Sequence, residues 1–152
     1  MRFEHAPADK SPARELLAAM VAEVSELYEG AIDQGPATPS ATPADFSPPG
    51  GICLVGYDGD RAVCVGAVKR LDPRCAEIKR MYVVSDARGH GVAKLLLAAL
   101  EDAARRLGYR RARLDTGRLQ PHALRLYEDA GYEEIDDYND NPFASWWGER
   151  EL

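Results

Sequence analysis

Two glycines directly before a helical stretch are the first residues whose type and spacing could do chemistry. Gly89 and Gly91 lie in the segment 88–93, and an apolar pattern of helical period begins at Val92. Glycine lets the backbone turn sharply and leaves no Cβ to keep a ligand from the N–H groups. The first N–H groups of a helix lack partners and carry the positive end of its dipole, so the segment predicts an anion site, with phosphate the expected anion.

The common glycine-containing phosphate signatures do not fit this segment. A Walker loop ends in Gly-Lys-Ser/Thr, which is absent, and the dinucleotide fingerprint has a third glycine where this chain has Lys94. A strand-to-helix turn without a ligand stays open as an alternative, because a glycine pair before a helix is by itself a weak signal.

Three motifs around this turn resemble those of the GNAT N-acetyltransferases. Arg88-x-x-Gly91-x-Ala93 matches the family signature R/Q-x-x-G-x-G/A, and segments 76–83 and 123–132 are similar to the family's central strand and last helix. The resemblance covers nearly the whole chain. It implies one acetyltransferase domain, 1–152, of the α/β class: a mixed twisted sheet of about six to seven strands, helices on both faces and a splayed central strand pair.

The same resemblance implies acetyl-CoA as co-substrate and assigns its contacts. The diphosphate would lie on the N–H groups of 89–93, and the pantetheine arm would pair with the backbone of 81–83. Gln120 stands where many members have an asparagine that contacts the pantetheine, and its longer side chain can make the same amide contacts. The expected cofactor-binding residues are Met81, Tyr82, Val83, Arg88, Gly89, His90, Gly91, Val92, Ala93 and Gln120.

Two side chains are assigned to proton transfer by the resemblance. Tyr127, in the A-x-x-L-Y run, would protonate the leaving thiolate, and a phenol stays protonated at neutral pH. Glu77 matches the base glutamate of the histone-acetylating members, and a carboxylate beside an apolar cleft has its pKa raised toward neutrality. The alternatives are a hydrogen-bonded core tyrosine at Tyr127 and, at Glu77, an exposed strand carboxylate paired with Lys79 or a neighbouring arginine. Asp115, His122 or a water chain are further candidates for the base.

The expected reaction is acetyl transfer to a primary amine of a small acceptor by direct attack in a ternary complex, since no cysteine is placed for an acyl-enzyme route. An ordinary turn-rich loop at 138–142 is the alternative to an acceptor site there. A non-catalytic acyl-CoA-binding or regulatory module with the same fold is the alternative function. The candidate acceptor-lining residues are Phe46, Arg80, Asp115, Tyr138, Asn139, Asp140, Asn141 and Trp146.

Periodicity and turn signals predict the elements that position these residues. A first strand is expected at 1–5, a meander at 51–84, helices at 12–29, 92–107 and 121–130, and strands at 109–116, 132–135 and 145–152. Ser11 is expected to cap the first helix, and Leu95 to lie on the apolar stripe of the second. The proline-rich segment 30–51 predicts a substrate-side lid anchored by Phe46, with disorder as the alternative.

The composition of the chain narrows the classes of partner, metal site and cellular location to be expected. The net charge of −6 disfavours nucleic acid. The three cysteines lack C-x-x-C spacing and are expected to be reduced, and no group of residues has metal-ligand spacing. No segment is long and apolar enough to cross a bilayer, and the N-terminus does not resemble a secretory signal, so a cytoplasmic location is expected. A homodimer stays open.

Overall fold

The computed structural model describes residues 1–28 and 41–152, which form one seven-stranded sheet with three α-helices. The strands are β1 (Arg2–His5), β2 (Ile52–Asp58), β3 (Arg61–Arg70), β4 (Cys75–Val83), β5 (Arg111–Thr116), β6 (Glu133–Ile135) and β7 (Trp146–Glu151). The helices are α1 (Ala13–Leu27), α2 (Val92–Arg106) and α3 (Pro121–Asp129). The sheet order is β1-β2-β3-β4-β5-β7-β6, and β4 and β5 are parallel while the other neighbours are antiparallel. The predicted mixed α/β fold is confirmed.

Helices cover both faces of the sheet. On one face, leucines of α2 pack with Leu54, Cys64 and Val68 and with residues of α3. On the other face, Leu16 and Leu17 of α1 pack against β2 and β3. The sheet is therefore buried on both sides, which explains the near-continuous apolar runs of its central strands.

The apolar stripe of α2 differs from the predicted one at Leu95. Leu95 is 49% exposed, whereas Leu97 and Ala104 are buried with Leu96 and Leu100. The stripe spans more than 100° of the helix and is turned toward Leu97, which leaves Leu95 outside it. The prediction for Leu95 is wrong.

Ser11 does not cap α1. The N-cap residue is Pro12, no side chain caps it, and the Ser11 hydroxyl donates to Glu15 Oε1 at 2.5 Å. The hydroxyl thus bonds a first-turn carboxylate instead of a backbone N–H group.

The proline-rich segment is described only from residue 41 onward, so most of the predicted lid lies outside the described residues. A short 3-10 helix, Pro43–Phe46, follows, and Phe46 is only 2% exposed in the core beneath α1. Phe46 therefore holds the described end of this segment in the core, and the lid itself stays a prediction.

The parallel strands β4 and β5 separate after a short pairing. Their register ends at Glu77↔Arg113, whereas β4 stays paired with β3 as far as Val83 and β5 stays paired with β7 as far as Thr116. In the described chain no pairing closes the gap beyond Glu77. The second half of β4 therefore presents an open edge toward β5, as a splayed pair requires.

A β-bulge in β4 switches which side chains face each layer. Val65 pairs with Tyr82 and Ala67 with Lys79, so one residue of β3 opposes two residues of β4, Arg80 and Met81. Arg80 has a φ of 58°, in the left-handed region. Beyond the bulge, Met81 packs with the core of α2 and α3, and Tyr82 with the core beneath α1.

Candidate active site

The N-terminus of α2 is open to ligands. Gly91 is its N-cap with a φ of 81°, and Gly89 has a φ of 82°, both in the left-handed region that glycine adopts without strain. Within the described residues no side chain caps the helix, and a Cβ built on either glycine would have no atom within 4 Å. The N–H groups of the first turn therefore face open space with the positive end of the helix dipole, which suits a diphosphate.

Arg88 holds this turn to the first helix. Its Nε donates to the Val83 carbonyl at 2.8 Å, and its terminal nitrogens donate to both carboxylate oxygens of Glu23 at 3.0 and 2.7 Å. The guanidinium also lies 5.5 Å from the centre of the Tyr82 ring. Arg88 thus fixes the loop position, and Glu23 was not found from the sequence because this pairing spans 65 residues.

The splayed edge offers unpaired polar groups beside that turn. Met81, Tyr82 and Val83 lie on the open edge of β4, and Thr116 closes the facing strand β5. Thr116 is 5% exposed, and its Oγ1 has no hydrogen-bond partner in the described chain. Buried polar groups without partners are rare in native proteins, so the gap between β4 and β5 fits an extended, amide-containing ligand such as pantetheine.

Tyr127 lies in the core beside this gap. It is 8% exposed, stacks on Trp146 with ring centroids 6.5 Å apart, and contacts the edge of Tyr132. Its hydroxyl has one polar contact in the described chain, the Met81 sulfur at 3.9 Å, and a thioether is a weak acceptor. Burial raises the pKa of Tyr127, and so does the charge of Asp115. The phenol is therefore a protonated donor in the core, and its one hydrogen bond to the described residues goes to a weak acceptor.

Two carboxylates meet on the opposite face of the splayed strands. One amide nitrogen, Nδ2 of Asn139, donates to Glu77 Oε2 at 3.1 Å and to Asp115 Oδ2 at 2.6 Å. The Tyr138 hydroxyl donates to Glu77 Oε2 at 2.6 Å, and Lys79 Nζ lies 3.7 Å from Glu77 Oε1. Glu77 is 3% exposed, so it is not the exposed strand carboxylate of the alternative reading, although Lys79 is near.

The loop between β6 and β7 is built to hold these carboxylates. Asn139 accepts a hydrogen bond from Trp147 Nε1 at 2.9 Å, and Asn141 donates to Asp115 Oδ2 at 3.4 Å. The loop itself turns through Asp137, whose Oδ1 accepts from the backbone N–H groups of Asn139 and Asp140. The loop is thus both turn-rich and part of a polar site.

Trp147, not Trp146, borders this polar cluster. Adjacent residues of a strand point to opposite faces, and Trp146 stacks on Tyr127 in the other layer. Trp146 was named from the sequence as an acceptor-lining residue, and that role remains a prediction. Strand alternation counted back from Glu149, which pairs with Arg113, would have identified Trp147.

Gln120 and Tyr28 meet at the carboxyl end of β5. The Tyr28 hydroxyl donates to Gln120 Oε1 at 3.1 Å, and the Tyr28 ring contacts Phe143 edge to face. A cleft of about 390 Å³ opens here, lined by Tyr28, Arg118, Pro142, Phe143, Ala144 and Ser145. The Gln120 amide nitrogen donates no hydrogen bond to another side chain within the described ranges.

Gly117 permits the close approach of Tyr28. A Cβ at this position would collide with the Tyr28 hydroxyl and lie 2.5 Å from the Phe143 carbonyl oxygen. Gly117→Ala is expected to destabilise the protein by about 1–3 kcal/mol through overpacking, which thermal unfolding would measure. Gly50→Ala is the matched control, since its nearest atoms would be 3.8 and 4.0 Å away. Equal melting temperatures for the two variants would contradict this packing.

The cysteines and the other potential metal ligands in the described residues form no second functional site. Cys53, Cys64 and Cys75 are free and buried, as expected for reduced thiols. Among residues 1–28 and 41–152 no group of three His, Cys, Asp or Glu side chains could hold a metal. No helix in the same ranges is long and apolar enough to cross a membrane.

Known proteins are similar to this chain in sequence and in fold. The chain is 35% identical over 102 residues to an uncharacterised N-acetyltransferase of Schizosaccharomyces pombe, covering 66% of this chain and 63% of that protein. The crystal structure of a Klebsiella pneumoniae protein assigned as an acyl-CoA N-acyltransferase matches with a TM-score of 0.76 and 26% identity, over 99% of this chain and 97% of that one. A GNAT acetyltransferase of Elizabethkingia anophelis with acetyl-CoA bound matches with a TM-score of 0.69 and 16% identity, over 99% and 97% of the two chains, which shows the fold alone.

The family is shown by a match of more than half of the chain. The sequence model of the acetyltransferase (GNAT) family matches residues 17–132, which include the open turn, the splayed strands and Tyr127. The chain spans less than two thirds of the length of the curated relatives it matches first. The protein belongs to the GNAT family of acetyltransferases.

Proposed function

We propose that the protein is an N-acetyltransferase that moves the acetyl group of acetyl-CoA to a primary amine of a small acceptor by direct attack in a ternary complex. The observation that carries the proposal is the buried Tyr127 hydroxyl, whose one partner among the described residues is a thioether and which lies beside an open strand edge and an uncapped helix N-terminus. Relatives named as N-acetyltransferases, and a neighbour of the same fold with acetyl-CoA bound, support the proposal.

Most contacts to acetyl-CoA are assigned to backbone groups. The N–H groups of 89–93 hold the diphosphate, and the edge 81–83 pairs with the pantetheine amides, with Gln120 donating its side-chain amide nitrogen. The N–H group of Met81 or Tyr82 polarises the thioester oxygen. Arg88 positions the turn from its place between Val83 and Glu23.

The two proton transfers are assigned to side chains on opposite faces of the splayed strands β4 and β5. Tyr127 donates its proton to the sulfur as the C–S bond breaks. A carboxylate of the Glu77–Asp115 pair removes a proton from the acceptor ammonium, so that a neutral amine attacks. The Glu77 base assignment remains a prediction, as do the cytoplasmic location, the homodimer and the absence of a nucleic-acid partner.

Acetyl-CoA is expected to raise the melting temperature by mass action. At a concentration of about 100 Kd the stabilisation would be about 2.7 kcal/mol, which thermal-shift titration would detect. Thiol release should then appear when spermidine, tyramine or Nα-acetyl-lysine is added. A melting temperature unchanged at millimolar acetyl-CoA would contradict the binding site, and binding without thiol release for any amine would favour the non-catalytic module.

A further inference from the structure

We propose that Asp115 is the group that accepts the proton of the acceptor ammonium, and that Glu77 is a positioning residue that holds Asn139 and supplies a fixed negative charge. This inference rests on the proposed acetyltransferase function and assigns different roles to two carboxylates that share one hydrogen-bond donor.

The two carboxylates differ in the partners of their oxygen atoms. Both hydrogen bonds to Asp115 fall on Oδ2, from Asn139 and Asn141, and its Oδ1 accepts none from the described residues. Asp115 is only half-buried, whereas Glu77 is 3% exposed. On Glu77, Oε2 accepts hydrogen bonds from Tyr138 and Asn139, and Oε1 has the Lys79 ammonium 3.7 Å away. An incoming ammonium therefore meets an oxygen without a hydrogen bond on half-buried Asp115, and on Glu77 a buried carboxylate that already has a cation beside it.

The protein also sets the charges around Asp115 for proton acceptance. Burial raises the pKa of Asp115 above its ordinary value, the negative charge of Glu77 raises it further, and Asn139, Asn141 and the Lys79 charge act in the opposite direction. A carboxylate whose pKa lies closer to neutrality is a stronger base than an ordinary aspartate. Glu77 contributes to this effect from a distance, through Asn139 and its charge.

Asp115 lies where a base is required. It is the last residue but one of β5, beyond the point where pairing with β4 ends. Its charge contributes to the raised pKa of Tyr127, so the base and the acid lie within electrostatic reach across the splay.

The protons balance with this pair. Asp115 takes one proton from the ammonium and later releases it to solvent. The neutral amine forms the new C–N bond, and the C–S bond breaks as Tyr127 protonates the sulfur. The second nitrogen proton returns to the Tyr127 oxygen through water, which leaves the amide, free coenzyme A and one proton in solution.

Two amines of nearly equal size distinguish a general base from a residue with a structural role, because only one of them must lose a proton before it attacks. Ethylamine is an ammonium ion at neutral pH and must be deprotonated, whereas 2,2,2-trifluoroethylamine is largely neutral because fluorine withdraws electrons. We expect Asp115→Asn to lower thiol release with ethylamine by about 100-fold or more, and with trifluoroethylamine by less than about 10-fold. Glu77→Gln, the matched amide substitution, should lower ethylamine turnover by a much smaller factor than Asp115→Asn, because Asp115 keeps its carboxylate and loses only a charge that raises its pKa.

Separate measurements check whether the variants fold and whether the proposed acetyltransferase function holds. The acetyl-CoA thermal shift of both variants should equal that of the wild type, and formate should restore ethylamine turnover to Asp115→Ala if the asparagine variant fails to fold. Equal losses for both amines in Asp115→Asn, or a selective ethylamine loss in Glu77→Gln as large as that in Asp115→Asn, would overturn the inference while leaving the proposed function intact. No thiol release by the wild type with any amine would overturn the proposed function and this inference together.

Discussion

Tyr127→Phe is expected to lower kcat by about 100- to 1,000-fold while leaving the affinity for acetyl-CoA unchanged. The substitution removes the proton donor for the leaving sulfur but keeps the ring that stacks on Trp146. Because the hydroxyl contacts only the Met81 sulfur among residues 1–28 and 41–152, its loss leaves no strong acceptor there unpaired, and stability should change by less than about 1 kcal/mol. Steady-state kinetics and thermal shift measure the two effects.

Tyr132→Phe is the matched control for this substitution. Its ring also lies in the core, against Tyr127, but its hydroxyl donates to the buried carboxylate of Glu101 at 2.9 Å. This variant should lose about 1–3 kcal/mol of stability, since a buried charged acceptor loses a donor, and should keep its kcat. Normal turnover by Tyr127→Phe, or an equal kcat loss in both variants, would remove Tyr127 from its role.

Gly91→Ala is expected to weaken acetyl-CoA binding by roughly 10- to 100-fold, the loss of one or two charge-assisted hydrogen bonds. The φ of 81° is strained for alanine, and relaxing it turns the N–H groups of the first turn away from the ligand. The free protein has space for the Cβ, so the variant should fold. Isothermal titration calorimetry with acetyl-CoA would measure the change in Kd.

Gly108→Ala provides the control at the other end of the same helix. Gly108 follows α2, has a φ of 100°, and has no atom within 4 Å of a built Cβ. The backbone strain is therefore similar, about 1–2 kcal/mol, without contact to the cofactor site. Both variants should lose similar stability, and only Gly91→Ala should lose affinity. Equal affinities would show that the turn does not hold the diphosphate.

The local features of the fold followed from the sequence. Gly91, Gly108 and Gly131 all adopt positive φ at helix ends, where glycine patterns predict such turns. The crossover through α2 predicted parallel β4 and β5, which the register confirms. These features depend on a few adjacent residues or on general chirality, so no tertiary contact was needed to find them.

The polar site depended on contacts that the sequence does not show. Nothing local to Arg80 predicts the bulge that turns Met81 toward Tyr127, because the mismatch arises from pairing with β3. The shared donor Asn139 is 62 residues from Glu77 and 24 from Asp115. The resemblance supplied Glu77 by its position, whereas the free oxygen of Asp115 appears only when the loop folds over both strands.

A crystal structure of the protein with coenzyme A tests the central claim most directly. The account predicts diphosphate oxygens accepting hydrogen bonds from N–H groups within 89–93, pantetheine amides paired with the edge 81–83, and the sulfur within hydrogen-bond reach of the Tyr127 hydroxyl. A diphosphate bound away from the first turn of α2, or a sulfur far from a Tyr127 that still contacts Met81, would contradict it.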